Sequence, residues 1–434
     1  MAAGGSLRYL GRIRIAASST YPTDLILRRR EGGCVSTRRG PSATGRRRVA
    51  CALAVGTRAE IALDPSALDR LRARLADAQL GPRLGDGWEH GVSHAWLTEL
   101  LADWQRYEPA RLQTRLDRME HRRVELDGLS IHLVQTPGVG PNPLPLVLTH
   151  GWPGSFLEYA ELVPLLADPA SHGADPDDAF VVVTPSLPGF GFSDTPPSAL
   201  SSRETASLWR RMMNALGHER FVAHGSDLGA GVTGWLARDH GDAVLGIHLA
   251  TPGLALPRSV KGSQEEQRFA HEVVHWNRHE GGYMHEHSTK PATLAAGLSD
   301  SPAGLAAWVG EKLVAWSSMR ADGSPALTRE RMLDTLTLYW TTGTIAGSLL
   351  PYWAFSRHPE AQLSPGDPAL TPTAISIFGG ERVAFPKPPR ELAERFYTVS
   401  AWREHARGGH FPALAEPALL AADLREAFAP LRGR

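Results

Sequence analysis

AHGSDLGAG, residues 223–231, ends an apolar run, opens an apolar helical stretch, and carries two oxygen nucleophiles side by side, Ser226 and Asp227. A nucleophile on a tight strand-to-helix turn needs small residues two positions before and after it, because the two backbones nearly touch there. Around Ser226 those positions are His224 and Leu228, both bulky; around Asp227 they are Gly225 and Gly229. The turn therefore presents Asp227. A side-chain carboxylate can attack an sp3 carbon bearing a leaving group and form an ester, which water then cleaves in a second step.

The neighbouring segments repeat the pattern of an apolar run ending in a turn. PLVLTHGWPGS (145–155), AFVVVTPSLPGFGFSD (179–194), RFVAHGSDLG (220–229) and VLGIHLATPG (244–253) alternate with helical stretches such as FLEYAELVPLL. Continuous apolar strands separated by helices predict an α/β fold, a mostly parallel sheet with helices on both faces. Residues 136–254 form the first part of this core. Its second part, 371–434, holds the strand TAISIFG (373–379) and the terminal helix EPALLAADLREAF (416–428). Between them, 255–370 is mostly helical and reads as an inserted lid, in which Trp308, Trp316, Trp340 and Trp353 either line a pocket or pack a core. Ahead of the core, residues 56–135 predict a helix from Asp64-Pro65 carrying Leu68, Leu71, Leu75 and Leu80. A second helix, WLTELLADW (96–104), follows, and then a hairpin in VELDGLSIHL (124–133) turning at Asp127-Gly128.

Composition narrows the function. The 434 residues carry 46 basic and 46 acidic side chains, so no overall field points to nucleic acid or an anionic surface. No apolar run approaches the ~18 residues of a membrane span. Cys34 and Cys51 have no metal-ligand spacing and suit a reducing, cytoplasmic compartment. Residues 1–55, with eleven arginines against one aspartate and one glutamate, read as a disordered basic extension. HEVVH (271–275) matches the two-histidine pattern of zinc hydrolases, yet its polar surroundings and the missing third ligand favour an ordinary lid helix. Neither a metal nor a cofactor is expected. A homo-oligomer is compatible with the sequence and not specified by it.

Hydrolysis of an aspartyl ester needs a base for water and donors for the oxyanion. HGWPGS (150–155) follows a strand where one donor belongs, which nominates the Trp152 amide beside that of Leu228, with Trp152-Pro153 a candidate cis bond and His150 holding the turn. His410, in ARGGHFPAL after the last strand, is the candidate base. From HGWPGS, PSLPGFGFSD, the aspartate-centred turn, YWTTGTI and RGGHFPALAEP, all in order, the chain from about residue 57 to its end resembles the microsomal-type epoxide hydrolases of the α/β-hydrolase superfamily, in the branch with many soluble bacterial members.

The resemblance implies an α/β-hydrolase fold wrapped by its N-terminal segment, with Asp227 as nucleophile and His410 as base. It implies that Tyr352, in YWTTGTIAGSLLPY, and Tyr283, in GGYMHEHSTKP, donate hydrogen bonds to the epoxide oxygen. Read from the residues alone, either tyrosine is better explained as core packing. The expected reaction opens a small hydrophobic epoxide with water to a vicinal diol, a detoxifying chemistry. One motif departs: FPKPPREL (385–392) stands where the family carries FPKE, with the acid that orients the histidine, shortly before PPR. Glu381 and Glu391 are the substitutes within the sequence. Losing such an acid costs a related triad about four orders of magnitude. The alternatives are a haloalkane dehalogenase, with Trp152 as a halide donor, and a binding protein that forms the ester once and stalls.

Overall fold

Runs of Val, Ile and Leu that alternate with capped helices build one sheet. Its strands are β1 (Thr57–Arg58), β2 (His121–Leu126), β3 (Leu129–Thr136), β4 (Leu144–Thr149), β5 (Phe180–Pro185), β6 (Phe221–Ser226), β7 (Val244–Ala250), β8 (Ala369–Phe378) and β9 (Tyr397–His405). Their spatial order is β1-β2-β3-β5-β4-β6-β7-β8-β9. β1, β2, β3 and β5 pair antiparallel, and from β5 to β9 every pairing is parallel. This is the α/β-hydrolase fold. The structure, a computed structural model, describes residues 56–433 except 86, 253 and 255–261. The basic segment 1–55, with Cys34 and Cys51, and the first residues of the lid stretch lie outside the described residues.

Helices α1 (Pro65–Ala76), α2 (His94–Arg106) and α3 (Pro109–Asp117) precede β2. The central strands are joined through α4 (Leu162–Ala167), α5 (Ser202–Ala215) and α6 (Leu228–Asp239). Between β7 and β8 come α7 (Gln264–His279), α8 (Gly282–Thr289), α9 (Pro291–Asp300), α10 (Pro302–Ala315), α11 (Arg329–Thr342) and α12 (Ile345–Arg357), the helical lid. The short α13 (Arg390–Ala393) and α14 (Pro412–Ala415), then α15 (Pro417–Phe428), complete the chain. Among the described residues no helix is long and apolar enough to cross a membrane.

Two local expectations shift. α1 stops at Ala76, where the Asp77 N–H bonds back to Ala73, so Leu80 lies beyond the helix and ahead of Gly81-Pro82. FLEYAELVPLL breaks into a 3-10 turn, Phe156–Tyr159, and the separate α4. Pro164 explains the break: lacking an N–H, it is tolerated in the first turn of a helix and not within one. The hairpin turns as expected, with Asp127 at φ 52° and Gly128 at φ 79°.

The N-terminal helices grip the lid. The Trp104 indole donates to Thr337 Oγ1 at 2.9 Å, and the Trp340 indole donates to the Ala67 carbonyl at 2.9 Å. Asp334 of α11, only 2% exposed, accepts from the Tyr107 hydroxyl and the Arg115 guanidinium. Every partner in this clamp comes from α1 to α3 or from the residue that follows α2.

Candidate active site

β6 lies in the middle of the parallel strands, so the turn into α6 opens at the C-terminal edge of the sheet, where α/β folds keep their ligands. Asp227 sits on that turn at φ 54°, ψ −124°, a strained backbone for a non-glycine residue. The flanks are as tight as the spacing predicts: a Cβ on Gly225 would stand 2.1 Å from the Gly229 carbonyl oxygen, and one on Gly229 would stand 1.9 Å from the Thr149 oxygen. Ser226 is buried as the last residue of β6.

The two oxygens of Asp227 face different partners. Oδ1 accepts from the Trp152 amide at 2.8 Å. Oδ2 lies 3.3 Å from His410 Nε2, close to the imidazole but without hydrogen-bond alignment. Trp152-Pro153 is cis, and His150, buried beside it, accepts from the Leu187 amide at 3.2 Å. Leu228 is the first residue of α6, where amide hydrogens point outward without an intrahelical partner. The Asp227 side chain keeps 17% exposure against 3% for His410, so the nucleophile is reachable and the imidazole is enclosed.

Above this pair the lid supplies aromatic walls. Tyr283 stacks on Trp152 with centroids 5.4 Å apart, and Tyr352 meets Trp152 edge-on at 6.1 Å. The two tyrosine rings are 5.9 Å apart. Burial pushes both phenols above their ordinary pKa, and the nearby Asp227 charge adds to the shift. His287 accepts from the Trp308 indole at 3.0 Å, and burial, then Lys312, pushes its pKa down to about 3. Beneath the loop, Glu158 is buried and pushed up to about 8, chiefly by desolvation and then by Asp227.

Asp227, His410, Trp152, Leu228, Tyr283 and Tyr352 thus converge, whereas the two candidate acids do not reach the histidine. The exposed Glu391 accepts from the Ser263 hydroxyl. Glu381 lies 3.5 Å from Lys387 Nζ, and His410 Nδ1 has no partner. Of the four lid tryptophans named from the sequence, Trp316 packs between Trp152 and His410, and Trp308 serves His287. Trp340 turns to the N-terminal helices, and Trp353 lies under Arg357. Sequence reasoning missed Phe385, stacked on His410 at 4.8 Å, and Glu158, one of two glutamates in a mostly apolar stretch, the other being the exposed Glu161. His271 and His275 of α7 are exposed, and no group of three or more His, Cys, Asp or Glu among the described residues could hold a metal.

Comparison with known proteins places the chain. The family model described as the epoxide hydrolase N terminus matches residues 57–159, and that of the alpha/beta hydrolase fold matches 145–280. A Stigmatella aurantiaca protein, provisionally named an epoxide hydrolase, is 40% identical over 381 residues, covering 86% of this chain and 85% of its own. Epoxide hydrolase 1 of Oryctolagus cuniculus is 31% identical over 392 residues, covering 82% and 85%. The structure of Aspergillus niger epoxide hydrolase superposes with a TM-score of 0.75 at 26% identity, covering 86% of this chain and 96% of that one.

Proposed function

The chain belongs to the epoxide hydrolase family, and we propose that within it Asp227 Oδ2 attacks an epoxide carbon to form an aspartyl ester. As the ring opens, Tyr283 and Tyr352 donate hydrogen bonds to the departing oxygen, and one of them supplies the proton that makes it a hydroxyl. Burial favours this role because a phenol kept from ionising remains a donor. Oδ1 then becomes the ester carbonyl. His410 takes a proton from water, and the water oxygen attacks Cγ. Charge gathers on Oδ1, where the Trp152 amide already points and the Leu228 amide opens α6. Collapse breaks the Cγ–Oδ2 bond, so Oδ2 leaves with the product and takes a proton from His410 to complete the vicinal diol, while the proton left on the new Asp227 carboxyl restores the phenol.

The observation that carries this reading is the division of labour at Asp227: one oxygen is held by an amide, and the other faces the imidazole. The phenol pair favours an epoxide over a haloalkane, since an alkoxide leaving group must gain a proton and a halide must not. The aromatic walls favour a hydrophobic substrate. A cytoplasmic site of action is part of the same reading and rests on the sparse cysteines. A single turnover in heavy-oxygen water tests the ester route. The diol of that turnover should carry a light oxygen from Asp227 and leave label in the enzyme; label in the diol would exclude the ester.

A further inference from the structure

A histidine that serves as base is ordinarily held by a third group on its other nitrogen, which fixes the tautomer and steadies the imidazolium. Here Nδ1 of His410 is buried without a partner. The ring is held instead by aromatic faces. Phe385 stacks on it with centroids 4.8 Å apart and planes at 21°, Trp316 leans over it at 4.9 Å and 51°, and Phe411 meets it edge-on at 5.0 Å. The backbone is fixed as well: the His410 amide donates to the Trp316 carbonyl at 3.0 Å, and the Gly409 amide donates to that of Gly379 at 2.9 Å. We infer that the π-faces of Phe385 and Trp316 position His410 and stabilise its imidazolium in place of an orienting carboxylate.

The inference rests on His410 being the base proposed above. It concerns the second half-reaction, because Asp227 carries its charge in the resting site and loses it in the ester. The imidazolium formed on taking the proton from water then has no carboxylate in contact. Glu158 apart, the charged groups on the elements around it are paired elsewhere, Lys312 with Glu311 at 2.8 Å. Glu381 faces Lys387, Arg407 pairs with Glu416 on the histidine's own loop, and Lys312 lies on α10 with Nζ 5.8 Å from the Trp316 centroid. Glu158 lines a small cavity together with Phe411. The negative face of an aromatic ring attracts a cation at such contacts, and tryptophan does so best.

Replacing Phe385 by phenylalanines of increasing ring fluorination keeps the shape and drains the negative face. The readout is the decay of the Asp227 ester formed from styrene oxide, followed by intact mass and as a function of pH. The decay should slow stepwise, by about tenfold for the fully fluorinated ring, and its pH profile should move to lower pH as the imidazolium loses support. Ester formation should keep its rate. Phe385→Tyr should retain wild-type decay, Phe385→Leu should mimic the fluorinated ring, and Glu381→Gln should stay within about twofold. Decay that is flat across the fluorinated series overturns the inference, as does a collapse of decay in Glu381→Gln. Failure of styrene oxide to yield an ester on Asp227 in both the wild type and His410→Ala overturns the nucleophile assignment itself, and the inference with it.

Discussion

Two of the places where the molecule buries polar groups treat them oppositely. At the clamp between the N-terminal helices and the lid, Asp334 takes a hydroxyl and a guanidinium, and the indoles of Trp104 and Trp340 each find an oxygen. In the site below the lid, Trp152 Nε1, the Tyr352 hydroxyl and both ring nitrogens of His410 find no aligned partner. A buried polar atom left alone costs on the order of 1–3 kcal/mol. The clamp is thus a region finished by folding, whereas the site is one that substrate and water complete.

That contrast can be broken at either end. Asp227→Ala should remove diol formation by about four to six orders of magnitude, the scale seen when a nucleophile is deleted, while the denaturation midpoint stays close to wild type. Substantial residual turnover would move the nucleophile elsewhere. At the clamp, Asp334→Ala strands Arg115 and Tyr107 and should lower unfolding free energy by about 3–5 kcal/mol in denaturant titrations, with turnover well below the transition changed little. An equal loss of activity and stability would erase the distinction. Tyr352→Phe should slow ester formation about a hundredfold and leave ester decay alone, measured by following the two steps in one single-turnover experiment.

A pH slope tests the buried carboxyl beside the site. Glu158, raised to about 8, keeps its proton when folded and loses it when unfolded above its ordinary 4.5. The stability it contributes is full below that lower value, drains as pH rises and is gone above about 8. Glu158→Gln should flatten that part of the unfolding free energy against pH, and an unchanged slope would show that the carboxyl ionises freely in the fold.

What could be read in the sequence was whatever short-range backbone sterics dictate. Gly225 and Gly229 bracket Asp227 because two backbones meet there, and Asp127-Gly128 turns a hairpin because both residues must adopt positive φ. The apolar runs marked β4 to β8 in chain order and the helical stretch between β7 and β8. What escaped depends on residues far apart in the chain. Nothing near Trp340 says that its indole will meet Ala67, and nothing near Phe385 says that it will cover His410. Glu391 looked as available as Glu381 until its partner proved to be Ser263. The missing acid was legible as an absence, but the stacked ring beside the histidine was not.

The grip of the leading helices on α11 also bears on engineering. A chimera made by exchanging residues 264–357 alone, to borrow another enzyme's substrate preference, would bring a foreign helix to Tyr107, Arg115 and Trp104 and leave those three without counterparts. The transplantable module is discontinuous in the chain: the lid has to travel together with residues 65–117.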